Sequence, residues 1–72
     1  MSKFIINKNA QENGDHEVHN ETTGCSHMPN PENRIDVGNY NSCQEAVADA
    51  KRKWPDHKVD GCYYCCNSAH TS

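Results

Sequence analysis

The sequence has little from which to build a core. Its 72 residues include one Trp, one Phe and three Tyr, and only 33% are hydrophobic even with cysteine and tyrosine counted in; the mean hydropathy is -1.07. At about 1.5 kcal/mol of ordering entropy per residue, so polar a small chain balances near zero unless a covalent or metal staple is added. Long apolar runs are missing too. The longest is Phe4-Ile5-Ile6, far below the roughly 20 residues of a membrane span and too short for a signal-peptide core. The reading is a cytoplasmic protein without a membrane partner. Basic charge is scarce, with 7 Lys and Arg against 10 Asp and Glu and a formal net charge of -3, whereas a nucleic-acid footprint shows as a basic face. Duplex DNA is therefore not expected as a partner. The single basic cluster, Lys51-Arg52-Lys53, falls at the end of a predicted helix, where three cations complement the helix dipole. The length allows one domain over residues 1–72, with an ordered core over about 3–66, a flexible tail over 67–72 and a monomer as the favoured state.

What the chain does have is five Cys and five His. Five thiols cannot all pair within one chain, and in a reducing compartment Cys/His patterns point to metal sooner than to disulfides. All thiols are thus expected reduced. Asp60-Gly61-Cys62-Tyr63-Tyr64-Cys65-Cys66 contains a C-x-x-C turn preceded by Gly, a spacing that brings two sulfurs to one tetrahedral site. The other half must come from upstream, where His19 and Cys25, separated by five residues, supply a nitrogen and a sulfur. The expected centre is Cys3His: His19, Cys25, Cys62 and Cys65 around one Zn2+ per chain. His16 and His27 are alternative nitrogen donors, and Cys43 and Cys66 alternative sulfur donors. Cys43 reads first as a core thiol on a helix stripe, and Cys66 as a packed or partly exposed thiol pointing away from the metal. His57 and His70 read as solvated. A structural zinc bound with about 10 to 16 kcal/mol would decide whether such a chain folds.

The remaining elements follow from local pattern. Lys3-Phe4-Ile5-Ile6-Asn7 reads as a strand, and Val18, between His16 and His19, as a second short strand after a turn at Gly14-Asp15. Pro29 and Pro31 forbid regular structure in the loop before Arg34. Arg34 to Gly38 alternates polar and apolar, so Ile35 and Val37 share one face of a strand, with Tyr40 continuing the buried side. Ser42 and Glu45 form a capping box for a helix through Lys53. Its stripe is Cys43, Ala46, Val47, Ala50 and Trp54, with Trp54 as the core anchor, and Pro55 stops it. Val59-Asp60-Gly61 reads as a turn. The fold class is α+β: a small antiparallel sheet of 2-3 short strands packed on one main helix and stapled by a Cys3His zinc site.

His19, Cys25, Asn33-Arg34-Ile35, Ser42, Glu45-Ala46, Gly61, Cys62 and Cys65 together resemble the small zinc module of Ada-type methylphosphotriester DNA repair proteins. The likeness is to its stand-alone and nuclease-linked relatives, in which a His replaces the first Cys, and it spans about residues 3–66. Where relatives carry basic residues around the knuckle, this chain has Tyr63 and Tyr64. The resemblance implies a zinc-held thiolate that accepts a methyl group, or a nucleic-acid-binding module. The residues themselves favour a zinc-binding structural or interaction module without catalytic activity of its own, working through a protein partner. Dithiol redox chemistry at Cys62 and Cys65 is the third reading.

Overall fold

Alternation along the first strand decides how the sheet divides its residues. In the computed structural model, which describes residues 1–71, strand β1 spans Ser2–Asn7 and buries Phe4, Ile5 and Ile6. Successive side chains of a strand point to opposite faces, so Phe4 and Ile6 share one face and Ile5 takes the other. Strand β2, Asp15–Asn20, pairs antiparallel with β1, placing Ile6 opposite Val18 and Ile5 opposite His19. Val18 thereby joins Phe4 and Ile6, and His19 falls with Ile5 on the reverse face. Strand β3, Arg34–Tyr40, pairs antiparallel with the other edge of β1, with a register shift at Phe4/Ile5. Ile35 ends at the rim of its face, 38% exposed, while Val37 is buried.

A fourth strand, β4, spans Lys58–Gly61 and runs parallel to β2, giving the order β3-β1-β2-β4. The α+β class holds, with one helix on one sheet. The sheet is nevertheless larger than the 2-3 antiparallel strands expected, and Val59-Asp60-Gly61 is strand instead of turn. The crossover through the helix makes the parallel pairing possible, and no local signal in the four residues announces it.

Helix α1 spans Cys43–Lys53, with Ser42 Oγ accepting the Glu45 backbone N–H at 3.2 Å as N-cap. Its buried residues are Ala46, Val47 and Ala50, small enough to bring the helix close to Phe4, Ile6, Val18 and Val37, with which they form the core. Trp54, expected as anchor, is only partly buried and packs at the margin, where it walls a cavity of about 110 Å³ with Ile6, Ile35, His16 and His57. Phe4 is the anchor instead. The basic end of the helix is engaged locally: Arg52 pairs with Asp49 at 3.0 Å, and Lys53 donates to the Val37 carbonyl. The Tyr40 hydroxyl donates to the Asp49 carboxylate and lies 3.0 Å from the Val37 carbonyl oxygen.

Cys43 and Cys66 are joined in a disulfide, their Cα atoms 5.5 Å apart. This corrects the expectation that every thiol is reduced, and it removes both residues from the alternative donors. Cys66 follows Cys65 directly and points away from it toward the first turn of α1, at a Cα separation typical of a bridge. The segment after it is also tied down. Asn67–Ala69 forms a 3-10 turn, and the buried Asp60 carboxylate accepts the Thr71 N–H at 3.0 Å and its hydroxyl at 3.1 Å. A buried carboxylate needs such partners, so residues 67–71 are not a free tail; Ser72 lies outside the described residues. Among the described residues no helix is long and apolar enough to cross a membrane.

Candidate metal centre

His19 reaches the site as the penultimate residue of β2, on the face away from Val18. After β2 the chain reverses over Asn20 to Gly24: the Asn20 side chain accepts the Thr23 N–H at 3.1 Å, and Gly24 takes φ +78°, a left-handed value that suits glycine. That turn swings Cys25 back under the end of the strand. Farther on, Arg34 holds the rest of the loop, donating from Nε to the Pro29 carbonyl at 2.8 Å and from Nη1 to Glu21 at 3.1 Å. Glu21 also meets Lys3 at 3.3 Å, and Arg34 first and then Lys3 hold its carboxyl below the usual carboxylate range.

The other two donors come from the knuckle after β4. Cys62 N–H donates to the Val18 carbonyl at 3.0 Å, and Cys66 N–H closes the turn onto the Cys62 carbonyl at 2.9 Å. Gly61 allows this crossing, because a Cβ there would lie 2.8 Å from the Cys66 carbonyl oxygen and 3.0 Å from Ala69. Tyr64 N–H points at the Cys62 sulfur, 3.4 Å away.

The ligand atoms of His19, Cys25, Cys62 and Cys65 all lie within 4.8 Å of one another. Cys25 and Cys62 sulfurs are 3.8 Å apart, and Cys65 sulfur is 3.5 Å from His19 Nδ1. His19 and Cys62 are buried, and Cys25 and Cys65 partly so. This is the only group of three or more His, Cys, Asp or Glu that can hold a metal ion among the described residues. The four expected donors are therefore brought together. The alternatives are not: His16 Nδ1 donates to the Asn7 carbonyl at 3.0 Å and its ring meets His57 edge-on, while His27 stacks on Tyr64 with ring centroids 3.8 Å apart. His70, expected in solvent, donates from Nδ1 to the Gly61 carbonyl at 2.9 Å and lies 3.2 Å from Asp60.

Without a cation the pocket disfavours charge of either sign. Burial foremost, helped by His27 and Arg34, lowers His19 to about 4. Burial likewise pushes Cys65 up to about 12, against the Asn20 N–H that favours its thiolate, and pushes Cys62 up against the N–H groups of Cys65 and Tyr64. Nε2 of His19 is buried with no hydrogen-bond partner. Four donors, three of them sulfur, converge at a largely buried point, an arrangement suited to a soft or borderline dication. No known family, curated protein or solved structure matches the chain.

Sequence reasoning missed the Cys43–Cys66 bridge, although three sulfurs in the centre leave two of five, enough for one pair. It also missed the stacking of His27 on Tyr64, which carries no signal in a linear pattern.

Proposed function

We propose that the chain is a small zinc-binding module, in which His19, Cys25, Cys62 and Cys65 hold one structural Zn2+ and the folded surface serves interaction with a protein partner. The observation that carries this is the donor spacing. Zn–S bonds near 2.3 Å and a Zn–N bond near 2.1 Å in a tetrahedron put sulfurs about 3.8 Å apart and sulfur and nitrogen about 3.6 Å apart. Two of the pairs here measure 3.8 and 3.5 Å. Nδ1 of His19 is the nitrogen that faces the sulfurs. Zinc, when bound, supplies the positive charge that lets three buried thiols ionise.

A complete Cys3His shell keeps no open position for an attacking water, so the module has no hydrolytic role. Methyl acceptance would require a phosphotriester, part of a polyanion, to reach a zinc-held sulfur; Cys62 is fully buried, and the segment around the partly buried Cys65 has no Lys or Arg between residues 59 and 72 to hold such a substrate. Dithiol redox chemistry draws on thiols of lowered pKa, the reverse of the direction at Cys62 and Cys65.

The experiment is intact mass under native and denaturing conditions. The expected native species carries one metal of about 65 Da, and the denatured chain shows one disulfide. Cys25→Ser, Cys62→Ser and Cys65→Ser should each lose stoichiometric metal, while the paired variant Cys43→Ala with Cys66→Ala retains it. A metal-free native chain, or retention by Cys62→Ser, overturns the assignment.

A further inference from the structure

The most exposed aromatic groups of the chain sit on the knuckle itself. Tyr63 is 56% exposed and Tyr64 63%. They belong to a continuous series of four rings: His27 stacks on Tyr64 at 3.8 Å, Tyr64 meets Tyr63 edge-on at 5.3 Å, and Tyr63 meets His70 edge-on at 5.4 Å. One end of the series is pinned, at His70 by the Gly61 carbonyl and Asp60, and the backbone that carries Tyr64 is fixed by its N–H to the Cys62 sulfur. Rings held this way lose little freedom when something docks on them.

The knuckle segment itself carries no fixed positive charge, and Arg34, which lies within electrostatic reach of His19, is paired with Glu21. No Lys or Arg occurs between residues 59 and 72. Glu17, two residues before His19 and so on the same sheet face, is a carboxylate within electrostatic reach of both His27 and His70, the terminal rings. Three thiolates around one dication add a formal charge of about -1 beneath the tyrosines.

We propose that the His27–Tyr64–Tyr63–His70 ridge is a docking surface for an arginine-bearing segment of a protein partner, a reading that rests on the metal-held knuckle. Exposed π faces above a negative centre attract cations. Among cations, guanidinium is planar, weakly hydrated and stacks on aromatic faces, whereas ammonium keeps its water. Single-stranded nucleic acid also stacks on tyrosine, but such platforms work beside a positive groove, and the knuckle segment 59–72 supplies no Lys or Arg for one.

The test is fluorescence anisotropy of zinc-loaded protein with a labelled Arg-Gly-Gly repeat peptide, its Lys-Gly-Gly counterpart and oligo-dT at about 150 mM salt. Zinc content is measured on every sample. The arginine peptide should bind about threefold or more tighter than the lysine peptide. Tyr63→Ala with Tyr64→Ala should weaken it about tenfold, and Tyr63→Phe with Tyr64→Phe should restore it. Equal affinity for both peptides with no effect of the alanine variant, or tighter binding of oligo-dT, overturns the proposal. Zinc-loaded protein that fails to bind the arginine peptide overturns the docking surface and leaves the metal reading standing. Tyrosine-dependent binding by protein that holds no zinc overturns the metal reading and supports the ridge.

Discussion

The two faces of β1 and β2 are buried by different chemistry. On one, Phe4, Ile6 and Val18 meet Val37 and the small residues Ala46, Val47 and Ala50, a largely hydrocarbon contact that Cys62 and Cys66 extend at its margin. On the other, Ile5 and His19 are equally inaccessible, at 2% and 1% exposure, yet the described residues form no second α-helix to lay over them. The neighbouring loop and knuckle are instead fixed by the Arg34–Glu21–Lys3 network and by the sulfur cluster. Partly exposed ion pairs contribute about 1 kcal/mol or less each, so the proposed metal, bound by the cluster, would be the stronger tether. A small polar chain thus completes its first face largely with carbon and its second with a group of donor atoms that could hold a metal ion.

Removing the cation is expected to break this contrast most strongly. Chelation, or Cys62→Ser, takes away about 10 kcal/mol or more of metal binding, comparable with the whole stability of a small domain. Amide exchange should rise first over residues 20–33 and the knuckle, and only then at Phe4 and Val18; the reverse order would show that the hydrocarbon face depends on the metal from the start. Next in size is Phe4→Ala, which should cost about 3 to 5 kcal/mol in denaturant unfolding of the zinc-loaded protein. An effect below about 1 kcal/mol would mean that the helix-side core adds little once zinc is bound.

Reduction of Cys43–Cys66, which closes a sequence separation of 23 residues, should lower stability by about 3 kcal/mol on chain-entropy grounds. Zinc stoichiometry should stay at one. Metal loss on mild reduction would tie the bridge and the centre into a single unit.

The smallest effect belongs to Tyr40 and Asp49, far from the metal. The hydrogen bond to Asp49 first, and burial second, push Tyr40 up to about 12, and the same bond lowers Asp49. An acid raised by folding stabilises fully below its unfolded value, here 10.0, and loses that contribution as pH rises through about 12. Asp49, shifted down from 3.8, contributes above that value and loses its part as pH falls below it. Ultraviolet titration of tyrosinate should therefore show one group delayed to about 12, and Asp49→Ala should return it toward 10.0. An unchanged titration in the variant would assign the delay to burial.

Helix α1 was legible in the sequence because its signals are local: Ser42 and Glu45 start it, three cations close it and Pro55 stops it. The four donors were legible for a related reason, since C-x-x-C fixes one half and only a loop with a Cys and nearby His can supply the other. Strand β4 was not, because its pairing partner lies some forty residues upstream and Val59 alone gives no alternation. The Cys43–Cys66 bridge depends on where α1 lands against the knuckle, a tertiary fact. Asp60 reads as a turn residue in the sequence; only its burial at 3% exposure shows why His70 and Thr71 return to it.

Gly61 sets a mechanical clearance for all of this. The space beside its α-carbon is already taken up by the Cys66 carbonyl and Ala69, so a single methyl group there would act as a shim, driving the 66–69 crossing off its seat. Cys62 lies one residue beyond it, Cys66 carries the bridge to α1, and Asp60 just before it anchors Thr71. The misfit would reach the cation cage, the covalent tie and the final turn together, so the alignment of three separate fasteners rests on one hydrogen atom in place of a side chain.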